Sequence, residues 1–260
     1  MQKPTLKLSV IVPAYQEGAR IRANLRRLLG ELDRMCTSYE VIVVSDGSTD
    51  DTVAQARSVE SPRVSVISYA VNMGKGHALS SGVRHASGEL VTFIDADMEL
   101  NPKEIRTFVD LLERGGHDIV VGSKRHRESR VQYPLFRRLQ SMTYQVLVRA
   151  LFSLRVRDTQ TGLKLFRREV LAEAVPRLAV KRFAFDLELL VVAHHLGYRR
   201  IVEAPIELDF QFESSVRLRS AFQVLWDTAA IFYRLNILRH YDDRRAPVAT
   251  RQPPSGDPGT

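Results

Sequence analysis

This 260-residue sequence has only one cysteine, no long apolar run and fewer acidic than basic residues. The one cysteine, Cys36, excludes a disulfide framework within the chain and is typical of a reducing compartment. No apolar stretch approaches the roughly 20 residues that a membrane-spanning helix needs, so no span is predicted. Residues 1–7 contain two lysines but lead into a strand-like run without a small-residue cleavage site, which argues against a signal peptide.

The shortage of negative charge is concentrated in one segment. The chain has 38 Lys and Arg against 30 Asp and Glu, a net charge of +8. Residues 124–157 hold nine Lys or Arg and a single acid, Glu128. Such a segment suits nucleic acid, an anionic membrane surface or a phosphorylated substrate, unless it is only a solvated basic face. Its basic residues alternate with aliphatic ones and no nucleic-acid-reading motif is present, so nucleic acid is disfavoured.

Strands and helices alternate over the first hundred residues. Short apolar runs predict strands at 8–15, 41–44, 63–69 and 91–94. The alternation predicts an α/β protein with a mostly parallel central sheet flanked by helices. Ligands bind such sheets at the carboxyl ends of the strands. The polar motifs PAYQE, SDGSTD, NMGKG and DAD all fall there, which predicts a binding site on that edge.

Three segments make up the predicted domain organisation. We expect a catalytic domain over residues 1–212, an amphipathic helix over 213–243 and a disordered, Pro- and Gly-rich tail over 244–260. A helix over residues 134–154 is predicted as an insertion in the catalytic domain. The apolar side of the C-terminal helix is predicted to consist of Phe222, Leu225, Trp226, Ala229 and Phe232.

Two carboxylates, Asp95 and Asp97, follow the apolar run 91–94 with one residue between them. Like charges this close repel, and a cation is the usual compensation. In extended geometry residues i and i+2 point the same way, so we expect both side chains to share Mg²⁺ or Mn²⁺. Such an ion would neutralise a diphosphate leaving group.

Two further motifs place polar groups on the same edge. Asp46 ends the second strand and could accept hydrogen bonds from a ribose or base, and Gly47 lets the backbone approach a ligand. A helix cap is the plainer interpretation of this turn. Lys75 stands between two glycines and offers a cation to phosphate. Neither a P-loop nor a GxGxxG motif is present, so neither an ATPase nor a dinucleotide enzyme is supported.

Taken together, these motifs resemble family 2 of the inverting nucleotide-sugar glycosyltransferases. The resemblance rests on VIVPAYQE (10–17), VVSDGSTDDT (43–52), NMGKGHAL (72–79) and FIDADMELNP (93–102). Within that family, two later segments look like the dolichyl-phosphate β-glucosyltransferases and related polyprenyl-phosphate sugar synthases. They are VRDTQTGLKLFRR (156–168) and KRFAFDLELLVVAHHLGY (181–198). The resemblance implies a GT-A fold and transfer of a hexose from a nucleotide donor to a lipid phosphate, with inversion.

The resemblance also implies roles for single residues. The nucleoside would be bound by Pro13, Ala14, Tyr15, Glu17 and Asp46. The metal and the pyrophosphate would lie on Asp95, Ala96 and Asp97, with Lys75 also contacting the donor. Many family members have arginine where this chain has Lys124, and the neighbouring Arg125 could substitute for it.

The catalytic set implied by the resemblance is Asp97, Lys124, Arg137, Gln160 and Asp186. Lys124 and Arg137 would bind the acceptor phosphate, and residues 158–162 and 185–188 would face the sugar and the reaction centre. A phosphate acceptor is ionised at neutral pH, so Asp186 could orient the acceptor or the sugar rather than remove a proton. A charge favoured by the helix dipole is the alternative explanation of Asp186.

The basic segment acquires a role from the same resemblance. We expect the helices over 134–154 and 217–240 to lie in a membrane interface, with arginines at lipid phosphates and Trp226 among acyl chains. Each Lys or Arg near an anionic surface contributes about 1 kcal/mol. Packing of both helices on the catalytic domain, or in a homo-oligomer, is the alternative.

These expectations define a metal-dependent, inverting glycosyltransferase, peripheral at the cytoplasmic face of the membrane. It would move glucose from UDP-glucose to a polyprenyl phosphate. GDP-mannose as the donor and a saccharide as the acceptor are the enzymatic alternatives. A nucleotide-sugar-binding, membrane-associated module without activity is the non-enzymatic one.

Overall fold

The computed structural model describes residues 7–35, 38–127, 129, 135–180, 184–207 and 218–242. Its strands are β1 (Lys7–Ala14), β2 (Ser38–Asp46), β3 (Val64–Tyr69), β4 (Leu90–Phe93), β5 (Ile119–Ser123), β6 (Lys164–Arg167) and β7 (Ile201–Pro205). Its helices are α1 (Ile21–Met35), α2 (Thr52–Arg57), α3 (Lys75–His85), α4 (Glu104–Arg114), α5 (Leu135–Phe152), α6 (Arg168–Ala174), α7 (Phe185–His195) and α8 (Leu218–Asn236). A short 3-10 turn, Val175–Arg177, follows α6.

The seven strands form one sheet in the order β3-β2-β1-β4-β6-β5-β7. β1 pairs in parallel with both β2 and β4, and β2 with β3, so the carboxyl ends of these four strands meet at one edge. The predicted mostly parallel sheet is confirmed. The exception is β6, which runs antiparallel to its neighbours β4 and β5.

Buried side chains on the two faces of the sheet form two cores. The first packs α1 and α4 against one face, and the apolar residues Ile21, Leu25, Leu28 and Leu32, which have helical spacing in α1, are buried in it. The second packs α3, α6 and α7 against the other face, and α7 is buried nearly all round. The sheet is therefore covered on both faces, as expected for parallel strands.

Helices α5 and α8 lie beside each other and complete the second core. The Tyr144 hydroxyl and the Thr228 hydroxyl are 3.0 Å apart, and Val148 and Ile231 are buried. The residues predicted to form one apolar side of α8 do not all face the same way in the structure. Phe232 packs against the core, whereas Trp226 lies on the exposed side. The Phe222 side chain, the boundary at residue 213 and the tail after residue 243 lie outside the described residues.

No helix in the described ranges is long and apolar enough to cross a membrane.

Candidate active site

The candidate site lies at the edge where β1, β2 and β4 end. Asp95 follows β4, Asp46 is the last residue of β2, and Lys75 is the first residue of α3. The parallel register of these strands brings all three loops to one side of the sheet. The clustering predicted from the polar motifs is therefore present in the structure.

Asp95 and Asp97 lie in a turn, which corrects the extended geometry expected from the sequence. The Met98 N–H donates to the Asp95 carbonyl oxygen at 3.1 Å, and Met98 has a φ of 51°. The Glu99 N–H then donates to Asp97 Oδ1 at 3.1 Å. Burial raises the pKa of the Asp97 carboxyl, and the charge of Asp95 acts in the same direction. The two carboxylates therefore repel each other although a turn, and not strand alternation, brings them together.

Lys75 is the cation that faces this pair. Its Nζ lies 2.5 Å from Asp95 Oδ1, and both side chains are partly exposed. Burial opposes the charged form of Lys75, but the carboxylates of Asp95 and Asp186 outweigh it and raise the pKa of the ammonium group. A charged lysine thus stands at the start of α3, next to the position proposed for a diphosphate.

The segment 158–162 closes the other side of Asp95. A Cβ atom at Gly162 would lie 2.0 Å from Asp95 Oδ2, so only glycine allows this close approach. Asp158 shapes the segment, because its Oδ1 accepts the Gln160 N–H at 3.1 Å and its Oδ2 accepts the Lys124 N–H at 3.2 Å. The Gln160 side chain is exposed.

Lys124 has its ammonium group near several acids of the site. Burial lowers the pKa of Lys124, while the charges of Asp158 and Glu99 counteract this effect. Glu99 was not predicted as a site residue; burial raises its pKa, and the charge of Asp97 adds to the effect. The Arg137 side chain lies outside the described residues. Arg125, the suggested substitute, is hydrogen-bonded to Gln145 on α5.

A divalent cation fits the chemistry of this edge. Within the part of the chain that the structure describes, no group of three or more His, Cys, Asp or Glu could hold a metal. Two carboxylates suffice for Mg²⁺ or Mn²⁺ when a substrate phosphate and water supply the other ligands. The oxygen donors of Asp95 and Asp97 suit such hard ions. The cradle that Gly162 leaves around Asp95 also limits where that carboxylate can move.

Asp46 has a different environment from the one expected. It is 4% exposed, and both of its oxygens already accept hydrogen bonds within the protein. Oδ1 accepts the Tyr69 hydroxyl and the Met73 N–H, both at 2.8 Å, and Oδ2 accepts the Gly74 N–H at 2.9 Å. The carboxylate thus holds the loop that leads to Lys75, and its direct contact with a ribose or base stays a prediction.

Gln16 follows β1 and has a φ of 56°. Its side chain forms hydrogen bonds with the loop that follows β2. Its Oε1 accepts the Thr49 N–H at 3.0 Å and the Asp50 N–H at 3.2 Å. Asp50 Oδ1 also accepts the N–H of Thr52 at 3.0 Å, which forms an Asx turn before α2. The N-cap residue of α2 is Asp51, which makes no side-chain cap hydrogen bond.

Glu17 and Tyr15 in this loop have side-chain groups that a ligand could contact. The Oε2 atom of Glu17 is buried without a hydrogen-bond partner, although Arg20 forms an ion pair with it at 3.3 Å. Burial raises the pKa of Glu17, and the charge of Asp97 acts in the same direction. Tyr15 is exposed, and Pro13 and Ala14 end β1 beside it. An acceptor oxygen and an exposed ring suit a nucleoside.

Asp186 reaches the site from α7 and is held by a residue that was not predicted as a site residue. Its Oδ1 lies 2.7 Å from the Nζ of Lys164, a completely buried residue of β6. Glu188, expected to face the reaction centre, is instead buried away from it. Its carboxylate accepts the Val180 N–H at 2.7 Å and the Tyr241 hydroxyl at 2.6 Å.

The fold and the arrangement at this edge define a glycosyltransferase of the GT-A type. A family model described as "Glycosyl transferase family 2" matches residues 9–174. The chain belongs to this family.

Two curated relatives and one solved structure illustrate the similarity. A dolichyl-phosphate beta-glucosyltransferase of Trichomonas vaginalis is 34% identical over 254 residues, which cover 91% of this chain and 77% of that protein. The Homo sapiens dolichyl-phosphate beta-glucosyltransferase is 37% identical over 210 residues, covering 73% and 64%. The glucosyl-3-phosphoglycerate synthase of Mycobacterium tuberculosis, crystallised with Mn²⁺, UDP and phosphoglyceric acid, superposes with a TM-score of 0.67. It is 23% identical over 88% of this chain and 78% of that one, and this likeness shows the shared fold.

Proposed function

We propose that this protein transfers glucose from UDP-glucose to dolichyl phosphate or another polyprenyl phosphate, with inversion at the anomeric carbon. The observation that carries the proposal is the pair Asp95 and Asp97 at the end of β4, beside the ammonium group of Lys75. The curated relatives of this chain are named dolichyl-phosphate beta-glucosyltransferases. Their names give the transferred sugar and the lipid acceptor that are proposed for this chain.

The donor would lie along the edge formed by β1, β2 and β4. Mg²⁺ or Mn²⁺ held by Asp95 and Asp97 would neutralise charge on the diphosphate. Lys75 would approach the same diphosphate from α3, and Glu17 and Tyr15 would contact the nucleoside. Lys124, near Asp158, would meet the acceptor phosphate together with Arg137.

The chemical step needs little proton transfer. An oxygen of the acceptor phosphate would attack the anomeric carbon from the face opposite UDP, forming one C–O bond as the bond to UDP breaks. The attacking phosphate is already ionised at neutral pH, so no strong general base is required. Asp186 fits this scheme as an orienting group, because its carboxylate is bound to Lys164 and barely exposed.

Transfer of labelled glucose from UDP-glucose to a polyprenyl phosphate tests the proposal. We expect label in the lipid phase with Mn²⁺ or Mg²⁺ and none with EDTA. Asp97→Ala should reduce turnover at least ~100-fold, as expected when a group that stabilises transition-state charge is removed. Asp110→Ala on α4 removes an exposed carboxylate away from this edge and should leave turnover unchanged.

The outcomes separate the alternative functions. Transfer of label only from GDP-mannose would show that the donor is GDP-mannose and not UDP-glucose. Label that enters a saccharide but no lipid would show that the acceptor is a saccharide and not a polyprenyl phosphate. Donor binding without any transfer, unchanged in Asp97→Ala, would favour a binding module and refute the enzymatic proposal.

We further propose that α8 and α5 attach the protein to the cytoplasmic face of a membrane. Helix α8 exposes Trp226, 69% exposed, together with Leu225 and Tyr233, and the exposed Ile237 follows the helix directly. On α5, Val146 is equally exposed. Exposed apolar patches of this kind mark interaction surfaces, and the arginine-rich segment nearby suits anionic lipid.

Co-sedimentation with phosphatidylglycerol-containing vesicles at low salt tests this attachment. The variant Leu225→Ser/Trp226→Ser should bind at least about tenfold more weakly, because a buried apolar side chain contributes about 1.5–3 kcal/mol. Val71→Ser is a matched control, since Val71 is 65% exposed but lies on the loop after β3. Absence of wild-type binding would refute the proposal, and concentration-dependent dimerisation through the same residues would favour a homo-oligomer.

A further inference from the structure

Lys164 occupies a position in the sheet where a charge is unexpected. It lies on β6 between β4 and β5, opposite Phe93 in the antiparallel register. The residues before and after it, Leu163 and Leu165, are completely buried, and so is Lys164 itself. Burying an ammonium group is costly unless it is paired and hydrogen-bonded.

Two oxygen atoms satisfy the buried ammonium group. The Nζ of Lys164 lies 2.7 Å from Asp186 Oδ1 and also donates to the carbonyl oxygen of Thr161. Asp186 belongs to the first turn of α7, and Thr161 precedes Gly162, the residue that cradles Asp95. A single buried charge thus fixes two segments that face the candidate site.

The starts of α7 and α3 are in direct contact. A Cβ atom at Gly76 would lie 2.6 Å from the ring of Phe185, so these two residues touch without room for a side chain at position 76. Their sequence neighbours are Lys75 and Asp186. This contact therefore sets the positions of the first turns that carry Lys75 and Asp186.

Four alternating charges therefore run from the interior of the sheet to the site. They are Lys164, Asp186, Lys75 and Asp95, with ion-pair distances of 2.7 Å at the buried end and 2.5 Å at the exposed end. A buried ion pair contributes little net stability compared with apolar residues of similar size. Stability alone is thus a weak reason for a lysine in the middle of this sheet.

We propose that Lys164 is a positioning residue that acts through Asp186 to hold Lys75 and the segment 161–162 where the donor diphosphate binds. Lys164 itself touches no substrate. The inference rests on the proposed function, because it takes the diphosphate of the donor as the group that Lys75 meets.

Binding of UDP and of uridine, each with Mn²⁺, distinguishes this role from a purely structural one. We expect Lys164→Met to weaken UDP binding about tenfold, the size of effect common for coupled neighbours, and to leave uridine binding unchanged. In a Lys75→Met background the same substitution should have a clearly smaller effect on UDP affinity, because only the part that acts through the segment 161–162 remains. Equal loss of UDP and uridine binding, or additive losses in the double variant, would overturn the inference.

A second variant addresses the case in which an unpaired Asp186 prevents folding of Lys164→Met. Lys164→Met/Asp186→Leu replaces the ion pair by apolar side chains, a change that is often neutral for stability. We expect it to fold, to bind uridine normally and to bind UDP about tenfold more weakly. Wild-type UDP affinity in this variant would refute the positioning role, whereas a wild-type protein that binds no UDP would refute the proposed function as well.

Discussion

Asp46→Asn offers a direct test of how the loop before α3 is held. The carboxylate of Asp46 accepts the N–H groups of Met73 and Gly74 on different oxygens, together with the Tyr69 hydroxyl. An asparagine has one acceptor oxygen and one NH2 group. In either orientation of the amide, the NH2 group faces a backbone N–H, so one donor loses its partner. The side chain is almost fully buried, and water cannot easily replace that partner.

The size of the effect follows from this geometry. A hydrogen bond to a charged group contributes about 1.5–3 kcal/mol, and an unsatisfied buried donor costs about 1–3 kcal/mol. Because both effects occur at one backbone N–H, we expect the free energy of unfolding to fall by about 2–4 kcal/mol. The melting temperature should fall by about 5–15 °C for a chain of this length.

Urea unfolding followed by far-UV circular dichroism measures the change, and hydrogen exchange of the Met73 and Gly74 amides locates it. Asp51→Asn is the matched control, because Asp51 is exposed and makes no side-chain cap hydrogen bond to α2. An Asp46→Asn variant within about 0.5 kcal/mol of wild type would refute the reasoning, since ordinary surface substitutions have effects of that size. Loss of stability without faster exchange at residues 73 and 74 would place the effect elsewhere.

Three other substitutions test separate parts of the structure. Gly162→Ala should displace the Asp95 carboxylate and weaken Mn²⁺ binding at least about tenfold with little change in melting temperature; unchanged Mn²⁺ affinity would contradict this. Glu188→Gln places an NH2 group against buried donors, so unfolding free energy should fall by about 2–3 kcal/mol in denaturant titrations. Burial lowers the pKa of His194 below its usual 6.5, and Arg199 adds to the effect, so the folded state binds a proton less readily than the unfolded chain. The contribution of His194 to stability should fall as the pH falls from about 7 to about 5, so His194→Gln should lose less stability than wild type in melting scans across that range.

The sheet and most helices could be predicted because their residues repeat a local pattern. β1 and α1 follow such patterns, and the structure confirms both. α4 was not predicted, although Ile105, Phe108, Val109 and Leu112 have helical spacing and are buried. α6 has seven residues, too few for a periodic signal. The direction of β6 is decided by its neighbours in space, and no local pattern encodes it.

The candidate site was predictable at the level of motifs and less so at the level of geometry. The sequence places Asp95 and Asp97 after a strand, but the positive φ of Met98 that forms the turn has no obvious local signal, because methionine rarely adopts it. Lys164 could be recognised as unusual only after the sheet order was known. A lysine is common in a short strand at the edge of a sheet. It indicates a special role only when its strand lies in the interior of the sheet.

Helix α7 connects the candidate site to the exposed surface of α8. Asp186 and Glu188 are two residues apart, so they point to well-separated sides of the helix. Asp186 binds Lys164 beside the site, while Glu188 accepts the Tyr241 hydroxyl and lies 3.3 Å from a guanidinium nitrogen of Arg234. Tyr241, in the segment after α8, is completely buried and belongs to the same core as α7. If the exposed side of α8 binds a membrane, the site is therefore held at a defined orientation to that membrane by α7, and a lipid phosphate would approach it along a constant direction.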